Sequence, residues 1–312
     1  MREVLDPALM ASISPFTLRT EKIARGVWAG IHRSPQKGNS IEFSEYRSYH
    51  PGDDLRHLDW RVVAKTDRLY IRQFEHETSI RCWIGLDCSG SMDFTSREMP
   101  GVPPGARLGG VWTKFEYARH LAGALAYLLI GQHDRVGLFG SGAEPAHWLQ
   151  PRSGSSHLER IGRALAASRP SPKAPVFPAV IAQLSERPLA QGLTVLFTDA
   201  LDGAMELLGP LEKLAARRQE IVLFHVLDPV ERDFPFTGLL EMEGTEGEGA
   251  RPADSQAARA AYLERIRKLE TDIERGLRSL GGSMERVFTD RPLDEALVPF
   301  LSRRLLERRG RR

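Results

Sequence analysis

From about residue 80 onward, short apolar runs alternate with longer stretches of helical periodicity, and this alternation restricts the fold more than any other property of the chain. Residues 82–86, 135–139, 193–197, 221–227 and 286–288 read as strands, and residues 114–129, 156–167, 178–185, 204–217, 255–280 and 293–308 as helices. Strand followed by helix, repeated, predicts an α/β fold with a mostly parallel sheet and helices on both of its faces. Residues 144–149 read as an edge strand. In the helix over 255–280, Tyr262, Ile266, Leu269, Ile273, Leu277 and Leu280 recur three or four positions apart and form one apolar stripe that reads as core. Asp254 or Ser255 is placed to cap its start, and Gly281-Gly282 to end it. The alternation fails between Asp228 and Asp254. There Asp228-Pro229 is expected as a structural turn into a short hairpin carrying Phe234, Phe236, Leu239, Leu240 and Met242, with 243–253 as a loop.

Residues 1–79 have a different character. Strands are expected over 40–49 and 69–74, with a turn at Pro51-Gly52-Asp53-Asp54. The expected division is therefore a small N-terminal β-rich region, 1–79, and an α/β domain, 80–312. Hydrophobic residues make up 41% and charged residues 27%, the balance of a soluble globular chain. A net charge of +2 argues against a dominant polyanion partner. The arginines at 303, 304, 308, 309, 311 and 312 lack interleaved aromatic residues and read as a solvated helix end, so no nucleic-acid partner is expected. Cys82 and Cys88 lie six residues apart in one extended segment, poorly placed to bridge, which fits a reducing compartment. Residues 1–16 lack the apolar core of a signal peptide, and the apolar stretch 121–130 is too short to span a bilayer. A cytoplasmic location with no membrane span is the expectation.

The chemistry concentrates where strands end. Asp87-Cys88-Ser89-Gly90-Ser91-Met92 follows the first apolar run, and Asp199 ends the run 193–198. Acids and hydroxyls are hard oxygen donors suited to Mg²⁺ or Mn²⁺. Ligands of open parallel sheets bind at the carboxyl ends of strands, near the reversal of strand order, where two such acids can meet over one ion. The candidate metal-site residues are Asp87, Ser89, Ser91 and Asp199. The plainer alternative is that Asp87 and the serines only cap the next helix, although no helix is expected before Lys114. The Pro- and Gly-rich stretch 97–110 is placed to border the site. Several enzyme signatures are missing: no phosphate-binding Gly-x-x-x-x-Gly-Lys loop, no His-Glu-x-x-His and no paired Cys-x-x-Cys.

A strand followed by Asp-x-Ser-x-Ser resembles the metal-ion-dependent adhesion site of von Willebrand factor A-type domains. That resemblance implies a three-layer, doubly wound fold, with Asp87, Ser89 and Ser91 in the first motif and Asp199 as the later acid. It also implies an open position on the ion that takes a partner's carboxylate. The preceding block narrows the match. Tyr46-Arg47, Tyr49, Pro51-Gly52-Asp53-Asp54, Arg56, Asp59-Trp60 and Ala64, then Arg72, Phe74-Glu75 and Glu77, are similar to the bacterial family called domain of unknown function 58. Leu227-Asp228-Pro229, Glu231 and Phe234-Pro235-Phe236 also resemble it. The family resemblance implies a non-enzymatic interaction module or adaptor acting in protein maturation or complex assembly with a MoxR-type AAA+ ATPase. One departure stands out. The loop over 168–177, where the adhesion site takes a threonine, contains none, and Ser171 is the nearest substitute. The charged residues of the block around Arg47–Trp60 read either as a docking surface or as an ion-pair network that fastens the small region.

The rival expectation is a Mg²⁺-dependent hydrolase, phosphatase-like, using the strand-end aspartates. Against it, Ser89 stands where a second acid is needed, and no lysine lies in the Asp199 loop to neutralise a phosphate.

Overall fold

The computed structural model describes residues 46–48, 69–72, 79–96, 112–141, 148–174, 176–201, 204–236, 238–243 and 250–310. The block Tyr49–Ala64 and the insert 97–110 lie outside the described residues. The chain forms two compact units, one over Ser34–Ser79 and one that contains everything described from Ile80 on. In the smaller unit β1 (Tyr46–Ser48) pairs antiparallel with β2 (Tyr70–Arg72), within the segments expected to be extended.

The larger unit is built on a six-stranded sheet. Its strands are β3 (Arg81–Leu86), β4 (Arg135–Gly140), β5 (Leu149–Arg152), β6 (Gly192–Thr198), β7 (Gln219–Leu227) and β10 (Ser283–Phe288), in the spatial order β10-β7-β6-β3-β4-β5. All neighbours pair in parallel except β4 and β5. The helices are α1 (Lys114–Gly131), α2 (Ser155–Ala167), α3 (Phe177–Ser185), α4 (Ala204–Ala216), α5 (Pro229–Asp233), α6 (Ser255–Ser279) and α7 (Leu293–Gly310). The five parallel strands and the six longer helices fall where the apolar runs and helical periods place them.

Alternate side chains of each buried strand serve different cores, as the pleat requires. Ile84, Leu138, Val195 and Phe197 pack with Leu121, Leu125, Ile161, Leu165, Leu297 and Phe300 of α1, α2 and α7. Trp83, Phe139, Leu196 and Leu223 pack with Ile181, Leu184, Leu207, Leu211, Ile273 and Leu277 of α3, α4 and α6. Helices therefore cover both faces of the sheet. Buried strands with no solvent face read as near-continuous apolar runs, which is why period two is missing from 82–86 and 193–197. The stripe of α6 is core at its C-terminal half, where Ile273 and Leu277 are fully buried. Asp254 caps its start, its carboxylate accepting from Gln256 N at 2.9 Å. Gly281, at φ +72°, and the bond from Gly282 N to Leu277 O at 2.8 Å close its end.

Three local expectations change. An edge strand runs over Leu149–Arg152, starting at the end of the expected 144–149, of which 144–147 lie outside the described residues; it is antiparallel, and Pro151 is tolerated because an edge strand need not donate on its open side. Residues 250–253, expected within the loop 243–253, belong to β9 (Ala250–Asp254), paired with β8 (Leu239–Glu243). Asp228-Pro229 is not a plain turn but the start of α5. Asp228 accepts from Val230 N while Glu231 accepts from Asp228 N, a capping box with Pro at the first helical position.

Candidate functional site

Strand order reverses between β3 and β6. The chain leaves β3 for β4 on one side and leaves β6 for β7 on the other, which opens a crevice at the carboxyl ends of the two central strands. Asp87 follows β3 and Asp199 follows β6, so both acids stand at that crevice. Asp87 N donates to Phe197 O at 3.0 Å, continuing the sheet one residue past β3. The four residues expected at a metal site converge. Ser89 N donates to Asp87 Oδ1 at 2.9 Å and the hydroxyls of Ser89 and Ser91 are 3.0 Å apart, while Ser91 also helps to lower the pKa of the Asp199 carboxyl. The acids are nearly sealed, each 1% exposed, while Ser89 is half-buried and forms the solvent side.

A short 3-10 turn over Gly90–Asp93 follows the motif directly, with Ser89 as its N-cap residue, but no side chain caps it. Capping therefore does not account for the hydroxyls. Instead, each oxygen of Asp87 is fixed from behind. Ser141 donates to Oδ1 at 3.2 Å and Thr198 to Oδ2 at 2.7 Å. The loop without a threonine does reach the motif: Ser171 N donates to Cys88 O at 2.9 Å, and Ser171 bridges Ser89. The approach is close at Gly90, where a Cβ would lie 3.1 Å from the Pro172 backbone. The Ser171 hydroxyl itself accepts from Lys173 N.

One residue of the cluster carries no sequence signal. Lys114, the first residue of α1, is 1% exposed and donates to Asp199 Oδ2 at 2.8 Å and to Glu231 Oε1 at 2.7 Å. The Asp199 loop lacks a lysine, as its sequence says, but the fold delivers one from 85 residues away. Only an unexplained lysine at the start of an apolar helix hints at it. Glu231 in turn is held by Asp228 N at 2.8 Å, and Asp228 accepts from Ser96 N at 3.1 Å and from the Thr289 hydroxyl. Asp228 is thus a structural acid that braces the loops, as expected.

The acids behave differently. Burial, then the neighbouring Asp199 charge, pushes the Asp87 carboxyl up to about 6, against the hydrogen bonds from Thr198 and Ser89. Burial also acts on Asp199, but the Lys114 ammonium outweighs it and holds that carboxyl below the ordinary range. Burial raises Glu231 despite Lys114. For Lys114, burial disfavours the charge but the two carboxylates overcome it and raise its pKa.

The donor set fits a hard cation. Two oxygens bound side by side on an octahedral ion at about 2.1 Å stand about 3.0 Å apart, and the Ser89 and Ser91 hydroxyls are 3.0 Å apart. Asp87 supplies a carboxylate behind them. Among the described residues no three His, Cys, Asp or Glu side chains gather around a common point, so the serines are necessary to any such site. Val176 and Leu201, in the connections before α3 and after β6, and Met205, in the first turn of α4, have 57%, 49% and 81% of their surface exposed. Ala200, between Asp199 and Leu201, sits at φ +57°, a left-handed conformation that a residue with a Cβ adopts only at a cost.

The family model described as protein of unknown function DUF58 matches residues 45–272. Uncharacterized proteins of Mycobacterium tuberculosis and Mycobacterium bovis are each 28% identical to this chain over 315 residues, spanning 99% of it and 92% of the relative. Among solved structures, that of conserved hypothetical protein BatB from Bacteroides thetaiotaomicron aligns with 72% of this chain and 98% of its own at 16% identity and a TM-score of 0.40. An aerotolerance-related membrane protein from Bacteroides fragilis aligns at 16% identity and a TM-score of 0.36, over 70% of this chain and 96% of its own. Among the described residues no helix is long and apolar enough to cross a membrane.

Proposed function

Given that this chain belongs to the DUF58 family of proteins of unknown function, we propose that it is a non-enzymatic protein-interaction module that docks a partner at the crevice between β3 and β6. The larger unit is then a three-layer domain of von Willebrand A type, with Asp87, Ser89 and Ser91 as the ion-holding residues and Asp199 behind them. The observation that carries the reading is the clustering of Asp87, Ser89 and Ser91 at the crevice, with Ser89 N donating to Asp87 Oδ1 at 2.9 Å and the two hydroxyls 3.0 Å apart, beside the Asp199 carboxylate whose charge acts on Asp87. A bound Mg²⁺ or Mn²⁺ supplies positive charge with an open position for a partner's carboxylate.

This chain's own residues do the positioning. Thr198 and Ser141 fix Asp87, the left-handed Ala200 turns Leu201 outward, and the exposed Val176, Leu201 and Met205 offer apolar contact beside the charge. The proposed partner is a MoxR-type AAA+ ATPase, which supplies the energy that a chain without a phosphate loop does not. The proposed location is cytoplasmic. Pull-down of that ATPase with wild-type protein, with EDTA present, and with Asp87→Ala tests the reading. Binding that weakens in the last two supports it, and undiminished binding in both places the contact elsewhere.

The hydrolase reading gains one observation, since a lysine does stand on Asp199. The buried ammonium of Lys114 donates to two carboxylates, so it does not face a phosphate in solvent. Mg²⁺-dependent turnover of a generic phosphoester, lost in Asp87→Ala, would restore that reading.

A further inference from the structure

Lys114 is the one buried lysine or arginine among the described residues. Taking an ammonium out of water costs several kcal/mol unless its partners are well placed, and here two carboxylates meet it at 2.8 and 2.7 Å. One of them, Asp199, is also the acid whose charge acts on Asp87 and whose pKa Ser91 lowers, and the Ser91 hydroxyl lies 3.0 Å from that of Ser89. The ammonium and the hydroxyl pair therefore act on the same carboxylate. A second cation drawn to that carboxylate meets like charge at short range in a poorly screened site.

We propose that Lys114 is a resident cation that competes with a divalent ion for Asp199, so that the ion is held through Asp87, Ser89 and Ser91 alone and only weakly. The inference deepens the docking reading and rests on the same site. Glu231 gives the competition an outlet. It stands on the other side of the same ammonium, fixed by Asp228 N at 2.8 Å, so Lys114 keeps an anionic partner when an ion draws on Asp199. Nothing has to leave the cavity for the exchange.

The competing account is that Lys114 merely fastens α1 to the loops after β6 and β7. The two accounts differ in what happens to ion binding when the lysine is removed at constant charge. The test is calorimetric titration of the whole chain with Mn²⁺, comparing wild type with the double variant Lys114→Met, Glu231→Gln. That pair removes one positive and one negative group, so the cluster keeps its net charge while Asp199 is released. The expected result is Mn²⁺ binding about tenfold tighter than wild type, lost again when Asp199→Asn is added. Affinity equal to or weaker than wild type overturns the proposal, as does absence of binding in both. Thermal melts give a second reading. The midpoint of the double variant should rise more with Mn²⁺ than that of wild type, and a midpoint no more responsive than the wild type's also overturns it. Failure of the ATPase pull-down with a positive Mn²⁺ result would remove the docking reading and leave this one standing.

Discussion

Lys114 and Asp199 are 85 residues apart in the chain and 2.8 Å apart in the fold. The pair joins the first turn of α1 to the loop after β6, and through Glu231 to the capping box of α5. Three separate connections at the carboxyl end of the sheet are thus tied to one ammonium.

Replacing that ammonium is the severest single change expected at the site. Lys114→Met leaves Asp199 and Glu231 buried without their cation, and loss of one partner from a buried pair costs about 3–5 kcal/mol. Urea denaturation in the presence of EDTA measures it. A cost below about 1 kcal/mol, the value of a surface pair, would show that the ammonium is hydrated and the cavity open.

Thr198→Val removes a donor from Asp87 and an acceptor from Ala200 N, which bonds the same hydroxyl at 2.9 Å. A buried group stripped of its partner costs about 1–3 kcal/mol. The Asp87 carboxyl should also rise further above its ordinary value, since Thr198 is among the contacts that lower it. Titration of the Asp87 side-chain carbon resonance by NMR checks the second effect independently of the first.

The raised Asp87 gives a pH dependence of defined sign. Its carboxyl titrates near 3.8 in the unfolded chain and at about 6 in the fold. Between those values the folded state binds more protons, so this group lowers stability as pH rises through the window and leaves a constant penalty above it. Asp87→Asn should abolish that slope in a series of urea melts. The same proton competes with an ion, so Mg²⁺ affinity should rise about tenfold between about pH 5 and about pH 7.5. Affinity that is flat over this range would mean the ion is not held against Asp87.

Asp228→Ala should destabilise by about 1–2 kcal/mol through loss of the cap, with Ser96 N and Thr289 also losing an acceptor. Its effect on Mn²⁺ affinity should be small, because Asp228 braces the loops and touches neither Ser89 nor Ser91. Comparing calorimetry with denaturation separates the two effects.

The sheet was legible because its strands are buried on both faces and so print as continuous apolar runs, while the helices print as 3.6-residue periods. Asp87 and Asp199 were legible because strand ends are where a parallel sheet exposes its chemistry. Lys114 was not legible, since a helix-start lysine is ordinarily solvated and its two acids come from loops that only tertiary packing brings near. Thr198 was hidden for a similar reason. The missing hydroxyl was expected from the loop 168–177, whereas the contact to Asp87 comes from the end of a core strand, one residue before the acid already identified. The hairpin was expected over Leu239, Leu240 and Met242, where β8 lies, but its second strand β9 was not, because Gly and acidic residues in 243–253 carry turn chemistry and little strand propensity.

The adjacency of β3 and β6 has a consequence in time. Asp87 and Thr198 are 111 residues apart, and at synthesis rates of about 5–20 residues per second that separation amounts to roughly 6–22 seconds on the ribosome. Throughout that interval Asp87, Ser89 and Ser91 are present without the strand that completes their crevice. The acid pair comes into being only when β6 slots in beside β3, a long-range closure of the slow kind. Any partner that recognises the finished crevice therefore also reads whether the centre of the sheet has been assembled.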